Sequence, residues 1–341
     1  MKLSVFITTL FLFWCVEIRA QQSIFDVKNY PFTEVASIVL QPDSEIFLPS
    51  DLIFHDDKIV VTDKSNKPTI QVFSQENTLL KQKHSLGSVG KGPGEFIDPW
   101  DIFIDQQEGY IYIFDAVNRR IAVLNEEYEL NENEYVYLKT DGFYTTLNRY
   151  KSSFIGSGIT TGCMLEIIDA NGERIECRGN HPDLGLKSEV SERSVAQRWH
   201  SYSVINQHIG KAVFFYRFAK RVAVIDLEGN LINELVDEDL GIPITQVMGG
   251  NALPTNIDLR AYISVDANDE NIYALYSGEI STGPSSSLGR YIQKFDWDLN
   301  LIEVYKLDHL AINVHVDNQG NVYTIEYEPE NNIRLLEINL D

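Results

Sequence analysis

Apolar residues in this chain gather in short runs, and within a run they alternate with their neighbours, as Ile111 and Ile113 do against Tyr110 and Tyr112. A period of two marks a half-buried strand, and no stretch of useful length carries the 3.6 period of an amphipathic helix. The runs recur in groups. The clearest group is PWDIFIDQQEGYIYIFDAVNRRIAVLNEEYEL, residues 99–130. It consists of an apolar run ending near Asp, a turn, a second run (IYIFD), a variable loop, a third run and a closing turn. Residues 49–80, 202–232, 262–302 and 312–341 repeat the group, and 143–175 is a degenerate copy. Six copies at roughly 45–60 residue spacing, with three runs and usually a weaker fourth such as LINELVDED, predict an all-β fold. That fold is a six-bladed β-propeller with four-stranded antiparallel blades. A sandwich does not repeat this way, and a parallel β-helix has much shorter periods. The sixth copy stops after its third strand, LLEINL, while EVASIVL (34–40) precedes the first copy. The N-terminal strand at about 34–40 is therefore expected to complete the last blade and close the ring, leaving no open edge.

The first twenty residues read differently. Lys2, an apolar stretch from Leu3 to Val16 and Ala20 at a cleavage point describe a secretory signal peptide. The domain plan is thus a signal peptide at 1–20 and a single propeller over 21–341. Lipid attachment at Cys15 would need a small residue before the cysteine, where Trp14 stands. A secreted or periplasmic destination is accordingly expected ahead of a lipid-anchored outer-membrane one. No later segment is apolar enough to cross a membrane as a helix.

Composition narrows the partners. With 50 acidic against 28 basic residues in 341, the formal charge is −22, which repels phosphate backbones and argues against nucleic acid. A monomer is expected. The 44% hydrophobic content excludes general disorder. Three cysteines are too few for a disulfide scaffold. Cys163 and Cys177 bracket a DANGE hairpin turn, however, and pairing of Asp169 with Glu173 would put them on one face, one diagonal step apart. A disulfide and two half-buried thiols both remain open.

The stretch GSVGKGPGEFIDPWDIFIDQQEGYIYIFDAVNRRIAVLN (87–125) resembles an NHL-type propeller repeat, in Gly94-Glu95-Phe96, Pro99, Asp105 and Asn118-Arg119. The whole arrangement resembles secreted six-bladed propellers of Gram-negative bacteria with an NHL- or TolB-like fold. Residues 143–175 and 202–232 lack the Pro and most of the Gly-Glu-Phe turn, so no single ligand site carries over from the resemblance. Gly87, Gly90, Gly92 and Gly94 are read as a crossing between blades, because a phosphate loop needs Gly-Lys-Ser/Thr opening a helix.

In a propeller, blade-to-blade crossings and second-to-third strand loops emerge on one face around the channel mouth. Aligning the copies on the Asp ending each inner strand puts Asp51, Asp101, Thr146, Tyr202, Tyr262 and Asn313 at equivalent starting positions. Two residues on come Ile53, Phe103, Asn148, Val204, Ser264 and His315. Trp100, Arg149, His200 and Arg260 are adjacent. His200 and His315 are candidates to approach one another across the mouth, and His55 replaces the usual strand-end Asp. Trp100, Arg149, His200, Tyr202, Arg260, Tyr262 and His315 form a candidate ligand-binding set, of aromatic and guanidinium chemistry suited to ligand contact. Asp51, Asp101, Asn148 and Asn313 form a weaker, oxygen-rich set for a Ca²⁺-like ion. Propeller lactonases and lyases hold metals in such a place, whereas the same Asp residues also suit capping of local backbone amides.

Two long irregular segments, 178–199 and 237–258, join blades; a partial lid over the mouth and plain solvated loops both remain open for them. The acidic stretch 125–137 reads as a solvated outer strand. No HExxH or GxSxG motif is present. The leading expectation is an exported, non-catalytic propeller that binds a protein, peptide or glycan at the mouth, without a cofactor. The alternative is a metal-dependent hydrolase or lyase of the lactonase type with a Ca²⁺-like ion in the channel.

Overall fold

The computed structural model describes residues 23–340 apart from 66–67, 106–107, 256, 282–286 and 328–332. The expected signal peptide, with Cys15, lies outside the described residues.

Six antiparallel four-stranded units follow one another. Blade 1 is Pro49–His55, Lys58–Asp63, Ile70–Glu76 and Leu79–Leu86. Blade 2 is Pro99–Ile104, Ile111–Asp115, Arg120–Leu124 and Leu130–Tyr137, so the acidic stretch does form an outer strand. Blade 3 is Phe143–Tyr150, Ser153–Ile159, Leu165–Ile168 and Arg174–Arg178. Blade 4 is Ser201–Asn206, Lys211–Tyr216, Arg221–Asp226 and Leu231–Val236. Blade 5 begins with Asp258–Ala267, Ile272–Ser281 and Gly289–Phe295. The long strand Leu301–Val316 is then shared: its first part is the outer strand of blade 5 and its second part the inner strand of blade 6. Val322–Tyr327 and Ile333–Ile338 follow.

Ser37–Val39 pairs antiparallel with Ile333–Ile338, Ser37 opposite Ile338 and Val39 opposite Leu336, and so supplies the fourth strand of blade 6. The N-terminal segment does more than the single strand expected at 34–40. Thr33–Val35 runs parallel to Tyr305–Leu307 on the rim of blade 5, and Gln41–Pro42 runs parallel to Leu79 and Leu80 on blade 1. Ahead of these, Phe25 and Val27 are buried, the Tyr276 hydroxyl donates to the Phe25 carbonyl (3.0 Å) and Gln293 Nε2 to the Ile24 carbonyl (2.6 Å). The chain start is a belt around three blades.

Apolar burial follows the ring. The core divides into six clusters, each made chiefly by two neighbouring blades, from blades 1 and 2 (Val60, Phe96, Ile113) round to blades 6 and 1 (Ile325, Leu335, Leu52, Phe73). Second strands are buried on both faces, as throughout Ile111–Asp115, because each lies sandwiched between sheets. That explains their continuous apolar runs.

Each of the two long connections carries regular structure of its own. Glu192–Arg198 is a short helix, N-capped by Ser191 through Ser194 N. Thr245–Met248 and Asn251–Pro254 form a hairpin across Gly249-Gly250, both at positive φ (61° and 73°), where glycine carries no Cβ penalty. Helix and hairpin meet: Ser194 Oγ accepts from Ala252 N (2.9 Å), and Ser191 Oγ donates to Asn251 Oδ1 (2.8 Å). They pack beside blades 3 and 4, and neither lines the channel wall. Cys163 and Cys177 are joined in a disulfide with Cα atoms 5.6 Å apart, across the hairpin in which Asp169 N donates to the Glu173 carbonyl.

Candidate functional site

The inner strands surround a channel of about 490 Å³, lined at one end by Asp51, Trp100, Asp101, Thr146, Tyr202, Ser264 and Asn313 and at the other by Arg149, Lys151, Gln207, His208, Asn268 and Asn318. Hydrogen bonding reveals which positions are equivalent. Asp51 Oδ2 accepts from Ile102 N (3.1 Å) and Asp101 Oδ2 from Leu147 N (2.6 Å). Thr146 Oγ1 donates to the Ser203 carbonyl (3.0 Å), Ser264 Oγ accepts from Val314 N (3.3 Å), and Asn313 Nδ2 donates to the Ser50 carbonyl (2.9 Å). Each side chain ties its own blade to the next, and together they stitch the channel wall. The sixth position holds Tyr202, whose hydroxyl instead accepts from Arg217 Nη1 (2.9 Å).

Two sequence-derived placements are corrected by this frame. Tyr262 does not face the mouth: it is fully buried between blades 4 and 5, its hydroxyl donating to Gln293 Oε1 (2.8 Å) and its ring against Phe215 and Tyr276. The equivalent residue is Ser264. Blade 5 misled because its inner strand carries two bulges, between Arg260 and Tyr262 and between Tyr262 and Ser264, and because Asp266 is not the strand-end residue. Asn268 is, pairing with Asn271. Arg149 lies at the far end of the channel, next to the Tyr150–Ser153 hairpin turn, where it donates to the Ser153 carbonyl (3.0 Å) and sits 3.6 Å from Asp105. It is a full strand length from Trp100.

The others fall as follows. Trp100 flanks the mouth with Lys64 Nζ 4.3 Å above its ring and Phe143 edge-on at 5.3 Å. Asn148 lines the channel. His55 is buried, its Nδ1 2.9 Å from the Tyr128 hydroxyl. His200 and His315 do not meet: His200 lies between the rings of Tyr202 and Phe218, and His315 stands 3.6 Å from Asp51 and 4.0 Å from Asp266.

Asp266, overlooked in the sequence, joins Asp51 and Asp101 in the channel and accepts from Val316 N (2.9 Å). Burial holds all three carboxyls above the ordinary range, and repulsion from neighbouring carboxyls adds to it at Asp51 and Asp101. Asp101 and Asp266 reach about 7, and Asp51 is well raised. Burial pushes His315 down to about 3, so it faces these acids as a neutral imidazole and the contact is not an ion pair. His200 is also pushed to about 3, by burial and by Arg217 and Arg260. Among the described residues no three His, Cys, Asp or Glu side chains are grouped so as to hold a metal ion. The oxygens of Asp51 and Asp101 are engaged by backbone amides, Asp51 Oδ1 also by Leu52 N (2.9 Å).

These shifts oppose one another in their effect on folding. Raised carboxyls keep protons that the unfolded chain releases between about pH 4 and 7, so their contribution falls as pH rises through that window. Depressed histidines refuse protons that the unfolded chain takes up below pH 6.5, so theirs falls as pH drops. Removing one partner unmasks the other. Asp101→Asn keeps an oxygen for Leu147 N and is expected to raise the melting temperature at pH 8 while changing little at pH 4.5. Each pKa unit is worth about 1.4 kcal/mol before solvent screening, so a gain of roughly 1–2 kcal/mol, or about 2–5 °C, is expected. A variant less stable than wild type by the same amount at both pH values would show that the carboxyl acts only through its amide bond.

Six blades closed around a channel define a β-propeller. A model of the TolB-like six-blade propeller family matches residues 29–319, and the chain belongs to that family. Solved structures share the fold at low identity. A Bacteroides fragilis protein described as exported has a TM-score of 0.57 and 11% identity over 90% of this chain and 95% of its own. A DUF4221-family protein of Bacteroides vulgatus has 0.53 and 12%, over 91% and 99%. Virginiamycin B lyase from Staphylococcus aureus has 0.51 and 9%, over 90% and 99%. No curated protein matches. Among the described residues no helix is long and apolar enough to cross a membrane.

Proposed function

We propose that this propeller is exported and binds a ligand, a protein, peptide or glycan, at the crossing face around the channel mouth, without catalysing a reaction. The observation that carries this reading is how the mouth residues are used. Asp51, Asp101, Thr146, Ser264 and Asn313 hold the wall together, whereas Trp100 and Tyr202 line the mouth without tying blade to blade, and Arg217 stands against the Tyr202 hydroxyl. A rigid ring with aromatic and guanidinium groups at its rim suits recognition, since little entropy is lost on ordering it. A metal-dependent hydrolase would need oxygens free to ligate, and those of Asp51 and Asp101 are largely occupied. The exported destination agrees with the Cys163–Cys177 disulfide, which persists in oxidising compartments.

Binding to a glycan array and to envelope-derived peptides tests this. Trp100→Ala and Arg260→Gln are expected to lower captured signal about tenfold or more, with unfolding transitions close to wild type. Lys151→Ala, at the opposite end of the channel, should leave binding intact. Equal capture by all three variants would refute binding at the mouth.

A further inference from the structure

Between blades 4 and 5, where the ring of side-chain ties is interrupted, the repeat itself is broken. Backbone bonding places His200 and Arg217 where blade 2 has Asp98 and Ala116: Arg217 N donates to the His200 carbonyl, as Ala116 N does to that of Asp98. Phe218 follows, and three guanidinium groups converge on its ring: Arg260 at 4.5 Å, Arg198 at 4.8 Å and Arg217 at 5.7 Å. One carboxylate serves them. Asp258 accepts from Arg198 Nη2 (2.8 Å) and Nη1 (3.3 Å) and from Arg260 Nη1 (3.0 Å). Arg198, 3% exposed, is also used by the Ile244 carbonyl, which makes it structural. Arg217 has no carboxylate partner among the described residues; its hydrogen bond is to the uncharged Tyr202 hydroxyl.

Two positive charges are therefore left over at one spot of a chain whose net charge is −22. Burial first, and the nearby Arg217 guanidinium second, disfavour the charge of Arg260, a cost that a negative group between the two would offset. A second, independent observation points the same way. His200 is 8% exposed, and its Nε2 is buried without a hydrogen-bond partner. A buried polar nitrogen without a partner is costly and asks for one. Tyr202 connects the cluster to the channel, whose wall it lines.

We propose that Arg217, Arg260 and His200 form an oxyanion-binding site at the channel rim, which receives a carboxylate or sulfate group of the ligand. The two guanidinium groups supply forked N–H donors, which match the paired oxygens of such a group. The His200 imidazole, kept neutral, supplies one further donor. Asp258 is the internal counter-ion that leaves Arg260 half neutralised and aims it. The site deepens the binding reading above and rests on it for its biological use, though not for its chemistry.

Thermal unfolding and titration calorimetry with sodium sulfate, sodium acetate and sodium galacturonate, against chloride of matched ionic strength, test the site. The three anions separate a tetrahedral dianion, a bare carboxylate and a carboxylate carried on a sugar ring. In wild type at least one is expected to raise the melting temperature above the chloride control. Arg217→Gln should bind that anion about tenfold more weakly and lose the increment, because it removes the guanidinium without a carboxylate partner. In anion-free, low-salt buffer the same variant is expected to melt at or above the wild-type temperature, since it relieves repulsion. Arg217→Lys, keeping charge without the fork, should fall between. An equal increment in wild type and Arg217→Gln, or an anion-free variant that melts well below wild type, overturns the site. Anion binding lost in Arg217→Gln while array capture persists would sink only the link to the ligand; capture lost without any anion binding would sink the oxyanion site and leave binding at the mouth standing.

Discussion

A chain beginning at residue 41 is expected to show no cooperative unfolding transition and to aggregate when expressed. The deletion removes Phe25, Val27, Val35 and Leu40, all at 6% exposure or less. At roughly 1.5–3 kcal/mol for each buried side chain, the loss is about 6–12 kcal/mol, comparable with the whole stability of an ordinary domain. The backbone suffers too. Ile333–Ile338 becomes an unpaired edge, and the outer strand of blade 5 loses its parallel partner. Unpaired edges recruit other chains, which is the reason to expect aggregation beside instability. The control lies in the same segment: Ile38 and Val39 are 43% and 38% exposed, so Ile38→Lys and Val39→Lys should fold normally. A sigmoidal melt within a few degrees of the full chain from the truncated protein would mean that the ring stands without its closing strand.

Arg120→Ala is expected to cost about 4 kcal/mol and to lower the melting temperature by about 10 °C. Arg120 is 2% exposed, and its guanidinium donates to the carbonyls of Gly92 (3.0 Å), Lys91 (3.4 Å) and Glu95 while stacking 4.3 Å from Tyr135. These carbonyls belong to the glycine-rich crossing from blade 1 to blade 2. Truncation strands them in a dry cavity, adding the desolvation of several acceptors to the loss of packing. Phe96, fully buried beside the guanidinium, holds the same crossing from its apolar side. Arg120→Lys should lie between, since an ammonium cannot reach all the carbonyls at once. A loss below about 1 kcal/mol for Arg120→Ala would show that the crossing is held by Asn118, Asp115 and Glu95 alone.

The second-strand aspartates show why blades 1 and 2 were readable. Asp63 accepts from Phe47 N and Leu48 N, and Asp115 from Ile97 N and Asp98 N, so each caps the segment entering its own blade. A residue whose job is local leaves a repeating mark. The mouth residues were partly legible for the same reason: Asp51, Asp101, Thr146 and Asn313 were aligned correctly because four residues separate each from a hairpin end of standard length. Tyr262 was misplaced because Asp266 stands two residues before the true strand end, Asn268, and because bulges shift which side chains face the channel. The helix Glu192–Arg198 is too short for its period to register. Gly249-Gly250, by contrast, carried a hairpin signal between short apolar runs that the reading of 237–258 as irregular passed over.

The cluster around Phe218 left little mark on the sequence. Arg198, Arg217 and Arg260 come from a helix end, a turn and a bulged strand, and only the closing of blade 4 on blade 5 brings them to one ring. The distinction is one of range. Strand period, turn chemistry and the number of copies are set between neighbours along the chain, so alternation and spacing alone establish an all-β, sixfold ring. Which side chains share a charge, lose their water or go unpartnered depends on contacts across tens to hundreds of residues. Burial in the assembled ring makes neutral acids of Asp101 and Asp266 below about pH 7 and a neutral base of His315, and no local pattern encodes that environment.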